Sequence, residues 1–360
     1  MSRFNSVLAL LALVVLTGCT SLDKYPVSDH YDGNRFFNVP QEPREAPGWK
    51  IGWYFLTTER IGTEPAAPIP IQRLSWPAWQ ELSNAQVHVV RLGHSSLLLK
   101  LHGQQWLVDP VFSERVSPFS FVGPKRFHPV PIDVDHMPDM DGLLLSHDHY
   151  DHLDAETLRR IHPKIKRFVT SLGVGARLRA LGVPAEKITE LDWQQSHQIG
   201  SLTLTAQPAQ HFSGRTLLDR NKTLWSSWVI QSQQGNDVRK IYFSADSGYF
   251  AGFKAIGNKH GPFDLTLIEC GAWDAMWPGI HMTPEEGVQA HLDLQGRVMA
   301  TVHNSTFDLA LHRWHAPMDR SHAAAKEKGV LQATPMIGEV MTLGGVVPQT
   351  LWWEGLKDAL

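Results

Sequence analysis

The sequence predicts an α/β fold in which helices cover the outer faces of β-sheets. The chain has 360 residues, of which 42% are hydrophobic and 19% charged, enough apolar material for one large domain or two smaller ones. Between residues 87 and 108, short apolar runs of strand length follow one another closely. Beyond residue 140, strand-like and helix-like segments alternate, an order typical of sheets covered by helices.

The predicted strands are short apolar runs bounded by turn residues. Gly93 and His102-Gly103 separate the first three strands, which form a meander. The full set is Val87–Leu92, Ser96–Leu101, Gln105–Val108, Gly142–Leu145, Arg167–Val169, Leu202–Ala206, Ser227–Ile230, Lys240–Phe243, Leu265–Ile268 and Val298–Val302.

Three helices are predicted from their start and stop signals. One runs over Asp154–Ile161 and a second over Val174–Leu181, and each is followed by a breaker. The third begins at Thr283, with Pro284 in the first helical position and Glu286 three residues after the cap. This last arrangement is a capping box.

The first residues of the chain are predicted to be a targeting segment. The apolar run Val7–Leu16 is too short to span a bilayer, which predicts a signal peptide over residues 1–18. Leu16-Thr17-Gly18-Cys19 resembles the bacterial lipoprotein processing site, and an ordinary secretory peptide with a chance cysteine is the alternative. Lipidated Cys19 would anchor the protein in the cell envelope, in the outer membrane facing the periplasm.

Residues 19–84 are predicted to be a tether and an extended segment that wraps the core. They are rich in proline, glycine and aromatic residues, so we expect little regular structure over most of their length. The aromatic content predicts that the second half of this segment is packed against the rest of the protein.

One short motif carries most of the chemical information. His147, His149, Asp151 and His152 fall within six residues, directly after the strand Gly142–Leu145. Loops at strand ends often carry catalytic groups, and imidazole and carboxylate groups are ligands of zinc-like metals. The first two histidines can bind one metal, and the aspartate and third histidine a second. A solvated histidine-rich loop is the alternative.

Three later strands are each followed by a further candidate ligand. His211, Asp246 and His303 stand just after predicted strands. Each of them alone is more typical of a capping or hydrogen-bonding residue. Their joint presence after the histidine motif indicates a metal centre.

The order and spacing of these residues resemble the metallo-β-lactamase superfamily over roughly residues 85–345. The resemblance implies an αββα sandwich, here with an extended aromatic and proline-rich N-terminal segment, and makes residues 85–360 the hydrolase domain. It implies two divalent metal ions, zinc first and iron or manganese as alternatives. The ligands it implies are His147, His149 and His211 for one ion, Asp151, His152 and His303 for the other, and Asp246 as a bridge.

A narrower resemblance is to the N-acyl-phosphatidylethanolamine phospholipase D-like branch of this superfamily. The matching segments are Asp109–Phe112, Gly123–Phe127, Pro208–Thr216, Leu218–Trp228 and His281–Glu286. Asn304 and Ser305 depart from the branch, which usually has tryptophan and glycine after the last histidine. The branch implies that Asp109 orients a ligating histidine. It also implies a phosphodiesterase acting on an amphipathic, phospholipid-like substrate.

The expected activity is hydrolysis by a hydroxide that bridges two metal ions. The candidate catalytic residues are Asp151, Asp246 and His281. Tyr150 and His281 could each stabilise a phosphate oxygen of the substrate. The other histidines, His94 among them, are assigned structural roles. A lactonase or other carbonyl hydrolase using the same site, and a non-catalytic metal-binding envelope lipoprotein, are the alternatives.

Charge and cysteine content limit the partners of the chain. A net charge of −3 and an isoelectric point near 6.7 give no indication of nucleic-acid binding. Only two cysteines are present, so lipidation of Cys19 would leave Cys270 without a disulfide partner. Cys270 is then a small buried residue. The oligomeric state stays open, a dimer included.

The processing site makes a testable prediction about location. We expect an alkaline wash to release Cys19→Ser from the membrane and to leave the parent bound, because the acyl chains supply the stable attachment. Fractionation followed by an alkaline wash measures this. A variant that resists the wash as the parent does would contradict lipidation and indicate a second attachment, with the aromatic segment Trp49–Trp79 the first candidate.

Overall fold

The computed structural model describes residues 28–39, 46 and 48–357. The predicted signal peptide and lipidation site lie outside the described residues. Within the described part of the chain, no helix is both long and apolar enough to cross a bilayer.

The strands form two seven-stranded sheets. They are β1 (Val87–Gly93), β2 (Ser96–Leu101), β3 (Gln104–Val108), β4 (Gly142–Leu145), β5 (Phe168–Ser171), β6 (Ile188–Leu191), β7 (Ser196–Ile199), β8 (Leu202–Gln207), β9 (Ser227–Gln234), β10 (Asp237–Phe243), β11 (Phe263–Glu269), β12 (Gly296–Val302), β13 (Gln332–Ala333) and β14 (Val340–Thr342). The first sheet has the order β14-β1-β2-β3-β4-β5-β6, and the second has the order β13-β12-β11-β10-β9-β8-β7. Every strand predicted from the sequence is present.

The α-helices of the described residues lie between and after the strands. They are α1 (Gly48–Thr57), α2 (Trp76–Glu81), α3 (Ala155–Ile161), α4 (Val174–Ala180), α5 (Gly252–His260), α6 (Pro284–Asp293) and α7 (Ala316–Glu327). Two predicted helix starts are confirmed. The Asp154 carboxylate accepts from the backbone N–H groups of Glu156 and Thr157, and Thr283 forms the capping box with Glu286.

The two sheets pack face to face and the helices cover their outer faces. Leu99 and Leu144 of the first sheet share one buried cluster with Leu204 and Ile230 of the second. Helices α3 and α4 contribute to a cluster on the outer face of the first sheet. Helices α5, α6 and α7 contribute to a third cluster, on the second sheet. The αββα architecture is therefore confirmed.

The strand directions bring the candidate ligands to one edge of the sandwich. Strands β8, β10 and β12 run in the same direction, because β8 and β10 are both antiparallel to β9, and β10, β11 and β12 are parallel. Their carboxyl ends lead into His211, Asp246 and His303. In the first sheet, β4 leads into the histidine motif.

The N-terminal segment contains two helices that the sequence analysis did not predict. Ser75 caps α2 by accepting from the backbone N–H of Ala78, and Trp76 and Trp79 are buried against the first sheet. This burial confirms the predicted packing for α2. In contrast, Trp49 and Trp53 of α1 are exposed.

Candidate metal centre

The first group of candidate ligands consists of His147, His149, His211 and Asp246. His149 Nδ1 lies 2.9 Å from His147 Nε2 and 3.2 Å from His211 Nε2. The nearer carboxylate oxygen of Asp246 lies 3.6 Å from His211 Nε2 and 3.8 Å from His147 Nε2. One ligand atom from each residue falls within 4.8 Å of all the others, which suits a single cation.

The second group adjoins the first and consists of Asp151, His152, His303 and His94. Asp151 Oδ2 lies 3.0 Å from His94 Nε2, 3.3 Å from His303 Nε2 and 3.8 Å from His152 Nε2. Their ligand atoms also fall within 4.8 Å of one another.

Asp246 lies between the two groups. Its Oδ1 is 3.0 Å from His152 Nε2, and its Oδ2 is 3.2 Å from His303 Nε2. The same Oδ2 is the atom that approaches His147 and His211 of the first group. A bridging position is therefore available to this carboxylate.

The structure brings together all seven side chains that the sequence analysis selected as ligands. His281, selected as catalytic, stands beside them, with ring centroids 4.9 Å from His303 and 5.2 Å from His211. Its Nδ1 lies 3.4 Å from Oε1 of the buried Glu269. The roles of these residues as ligands and catalysts stay predictions.

His94 was assigned a structural role in the sequence analysis, and the structure instead places it in the second group. It is buried and follows β1, just as His303 follows β12. The rule that selected the other ligands, a histidine directly after a strand at this edge, would also have selected His94.

Asp109 fixes the orientation of the histidine motif from the side opposite the two donor groups. It is fully buried; its Oδ2 lies 2.8 Å from His152 Nδ1 and accepts from Ser146 Oγ at 2.6 Å. Ser146 Oγ lies in turn 2.9 Å from His147 Nδ1. These contacts leave the Nε2 atoms of His147 and His152 directed at the site.

Asn38, in the N-terminal segment, fixes the position of the loop that carries His211. Its Nδ2 donates to the backbone carbonyl of His211 at 2.7 Å, and its Oδ1 accepts from the His211 N–H at 3.2 Å. Trp225 Nε1 also donates to Asn38 Oδ1, at 3.0 Å. His211 Nδ1 lies 3.1 Å from the carbonyl of Ile280, so Nε2 is left for the site. No sequence motif indicated Asn38.

The charges of the centre favour cation binding. Burial would raise the pKa values of Asp151 and Asp246, but His152 and neighbouring histidines outweigh it and hold both well below the ordinary value. Burial holds the pKa values of His147 and His211 well below normal, so both are neutral, the form a metal ligand needs. Two anionic carboxylates beside these neutral imidazoles attract positive charge.

Two other imidazoles, those of His152 and His303, respond to the carboxylates by holding protons. Burial would lower the pKa of His303, but Asp246 and Asp151 outweigh it and raise the pKa to about 10. The same carboxylates raise the pKa of His152 well above its usual range. These protons supply the positive charge that divalent cations would bring.

Unsatisfied buried atoms show that the donor set fits metal ions. His152 Nε2, His303 Nε2 and Asp246 Oδ1 are buried and make no hydrogen bond of acceptable geometry. Buried polar atoms without partners are rare in proteins, and these converge on each other. Nitrogen and carboxylate oxygen donors in this number suit zinc-like divalent ions.

Several polar residues near the motif have structural partners instead. Asp148 accepts from Arg177 Nε at 3.2 Å and from the Gly214 N–H at 2.8 Å. Tyr150 donates its hydroxyl proton to the carbonyl of Arg215 at 2.9 Å, so the phenol is occupied within the fold. Cys270 is buried, and burial raises the pKa of its thiol, as expected of an inert filler.

A cleft of about 270 Å³ lies over the two donor groups. His149, Asp151, His211, Asp246, His281 and His303 line it on the side of the centre. Its remaining walls are mainly apolar and are formed by Ile51, Phe212, Ala272, Trp277, Ile280 and Leu309. The cleft therefore combines a polar floor with walls suited to an apolar substrate group.

Comparison with known proteins identifies the family. A family model described as a beta-lactamase superfamily domain matches residues 104–304, which span most of the residues forming the two donor groups. The chain belongs to the metallo-β-lactamase superfamily. It is thus a metal-dependent hydrolase of this fold, and the fold implies divalent metal ions at the centre.

Similar proteins in other organisms indicate the branch of the superfamily. N-acyl-phosphatidylethanolamine-hydrolyzing phospholipase D 1 of Caenorhabditis elegans is 37% identical over 243 residues, covering 64% of this chain and 67% of that protein. Outer membrane protein RomA of Klebsiella pneumoniae is 48% identical over 102 residues, covering 28% of this chain and 74% of that protein. The first supports the phospholipase D-like branch of the superfamily.

A solved structure supports the fold. Igni18, a metallo hydrolase of Ignicoccus hospitalis, has a TM-score of 0.53 and 17% sequence identity, and the match covers 71% of this chain and 98% of that one. At this level of identity the likeness concerns the superfamily fold alone.

Replacing Asp151 should empty the second group while the fold survives. Asp151→Asn keeps the side-chain shape but removes the charge that His94 and His303 face, so we expect metal content to fall from two ions per chain towards one. Activity should fall by orders of magnitude, because electrostatic stabilisation is usually the largest catalytic contribution. Metal analysis and turnover of a chromogenic phosphodiester measure both, with the exposed Asp139→Asn as control. Near-normal turnover by Asp151→Asn would show the assignment to be wrong.

Replacing Asn38 should weaken the first group without touching a ligand. Removing its side chain releases the backbone of His211, and we expect metal affinity to fall about 10–100-fold, as when other orienting partners are lost. Competition with a chromophoric chelator measures the affinity of Asn38→Ala. The exposed Asn34→Ala in the same segment is the control. Equal metal affinity in the parent and both variants would show that Asn38 does not support the first group.

Proposed function

We propose that this protein is a dinuclear-metal phosphodiesterase that acts on phospholipid-like substrates of the N-acyl-phosphatidylethanolamine type at the cell envelope. The observation that carries the proposal is a pair of adjoining donor groups, with Asp246 close to the histidines of both, at the floor of a cleft with apolar walls. A phosphodiester with acyl chains presents an anionic group and apolar groups in the same molecule, which matches both parts of this cleft.

The two groups would each hold one divalent cation, with zinc as our first choice for these ligands. His147, His149 and His211 would hold one cation, and Asp151, His152 and His303 the other, with Asp246 between them. Such a pair, when bound, supplies Lewis acidity towards phosphate oxygens and lowers the pKa of a coordinated water towards neutrality.

The protein's own residues would orient the substrate and control protons. His281 lines the cleft beside His211 and His303, so a protonated His281 would donate to the departing oxygen of the substrate. Oε1 of Glu269 lies 3.4 Å from His281 Nδ1 and also accepts from the Met282 N–H at 2.9 Å, which keeps the carboxylate in place. Glu269 would steady the imidazolium.

The walls of the cleft would bind acyl groups and exclude water. Phe212, Trp277, Ile280 and Leu309 line the cleft together with Ile51 of α1. Burial of a methylene contributes about 0.8 kcal/mol, so even a short stretch of chain adds substantial binding energy. Binding energy gained remote from the reacting bond can be used to position that bond.

Two relatives support the substrate and the location. One bears the name of a phospholipase D that hydrolyses N-acyl-phosphatidylethanolamine, and another is named an outer membrane protein. The predicted lipid attachment at Cys19 would hold the present chain at a membrane that contains such diesters. We therefore propose a lipid-anchored protein of the outer membrane that faces the periplasm.

Acyl chain length provides the test of this function. On a fixed phosphodiester head group, kcat/KM should rise by up to about tenfold for every two methylenes buried, at ~0.8 kcal/mol each, until the cleft is full. Leu309→Asn should flatten this dependence, because it places a polar group in the apolar wall. A series of diesters with increasing acyl length, assayed with metal-loaded enzyme, measures the slope.

Three outcomes would contradict the lipid substrate. Equal kcat/KM for short soluble diesters and long-chain diesters would indicate a general phosphodiesterase. Efficient opening of lactones with no diester turnover would indicate a carbonyl hydrolase, since the same donors can polarise a carbonyl group. Metal binding with no turnover of either class would indicate a non-catalytic protein.

A further inference from the structure

Helix α1 presents apolar residues on two opposite faces. At about 100° per residue, Trp49, Trp53 and Leu56 project within a narrow arc, and Ile51 and Phe55 project from the other side of the helix. The first three are 72%, 65% and 83% exposed. A helix that packs on a protein through one face ordinarily has polar residues on the other, so this outer face needs a partner.

The inner face of α1 is attached to the wall of the cleft. Ile51 lines the cleft, and the ring of Phe55 stacks on that of Trp277 with centroids 5.6 Å apart. Tyr54 Oη donates to Asp274 Oδ2 at 3.2 Å. The outer face of α1 is therefore held at a fixed position beside the candidate metal centre.

The composition of α1 identifies the kind of partner. Tryptophan is enriched where proteins meet the interface of a bilayer, because its ring is apolar and its N–H is polar. Residues 46–58 contain no aspartate or glutamate and one charged residue, Lys50, whose ammonium lies 5.6 Å from the centre of the Trp49 ring. A lysine flanking an apolar face complements anionic lipid head groups.

We propose that the outer face of α1, formed by Trp49, Trp53 and Leu56, docks on the surface of an anionic phospholipid bilayer. The side chains would enter the region between head groups and acyl chains, and Lys50 would contact phosphate. Because the inner face of the same helix forms part of the cleft wall, docking would hold the cleft next to the lipid surface. The inference deepens the proposed function and rests on it for the substrate.

Vesicle flotation tests this surface independently of turnover. The test uses the chain from residue 20 onward, so that neither the predicted signal peptide nor a lipid anchor contributes, and vesicles of phosphatidylethanolamine and phosphatidylglycerol. We expect the parent to float with the vesicles. The triple variant Trp49→Gln, Trp53→Gln, Leu56→Gln should have a vesicle–water partition coefficient at least tenfold lower. It lacks the three apolar side chains whose transfer from water to lipid favours binding.

A matched control and a conservative variant complete the experiment. Val346 is 94% exposed and follows β14 at the opposite edge of the sandwich, so Val346→Gln should bind vesicles as the parent does. The double variant Trp49→Phe, Trp53→Phe keeps an apolar face, so it should still bind vesicles. Brominated acyl chains should quench tryptophan fluorescence in the parent, and the double variant should lose much of this quenching. Circular dichroism and thermal unfolding confirm that each variant is folded.

Several outcomes would overturn the docking surface. The surface would be wrong if the parent did not bind vesicles, or if the folded triple variant bound them as the parent does. It would also be wrong if the quenching of tryptophan fluorescence were unchanged in the phenylalanine variant. Light scattering that shows a dimer in the parent and a monomer in the triple variant, without vesicle binding, would assign the face to a second copy. Vesicle binding through α1 with no diester hydrolysis would support the surface and contradict the proposed function.

Discussion

The buried carboxylate of Asp246 is the constraint on which the site depends. Isolating an ionised carboxylate from water costs several kcal/mol unless charged or polar partners surround it. Here the carboxylate lies 3.0–3.8 Å from imidazole nitrogens of His147, His152, His211 and His303, which come from both sheets. The same carboxylate therefore draws the two histidine groups together and creates the negative charge that two cations would neutralise.

The scaffold holds this arrangement by ending strands in unusual backbone conformations. His94, Asp109, Ala245 and His303 all have positive φ angles, between 40° and 60°, and each stands at or just beyond the end of a strand. Such conformations are uncommon for residues with a side chain and persist where the surrounding structure fixes them. The rigid sandwich, with Asp109 and Asn38 behind the ligands, supplies that support.

The sequence was sufficient for the parts of the protein that rest on local patterns. Central strands are apolar runs, so β1–β5 and β8–β12 were predictable, and the side chains at their ends gave the seven candidate ligands. The strands β6, β7, β13 and β14 were missed because they lie at the sheet edges, where strands are short and less apolar. Asn38 contacts His211 across 173 positions, and no local pattern encodes such a contact.

Anomalous diffraction from crystals of the zinc-loaded protein would show directly whether two cations bind on either side of the Asp246 carboxylate. Data collected above and below the zinc absorption edge locate each ion without reference to activity. We expect two anomalous peaks, one on either side of Asp246. One should face His147, His149 and His211, and the other Asp151, His152 and His303. A single peak, with the side chains of the second group in contact with one another and no ion between them, would contradict the dinuclear centre.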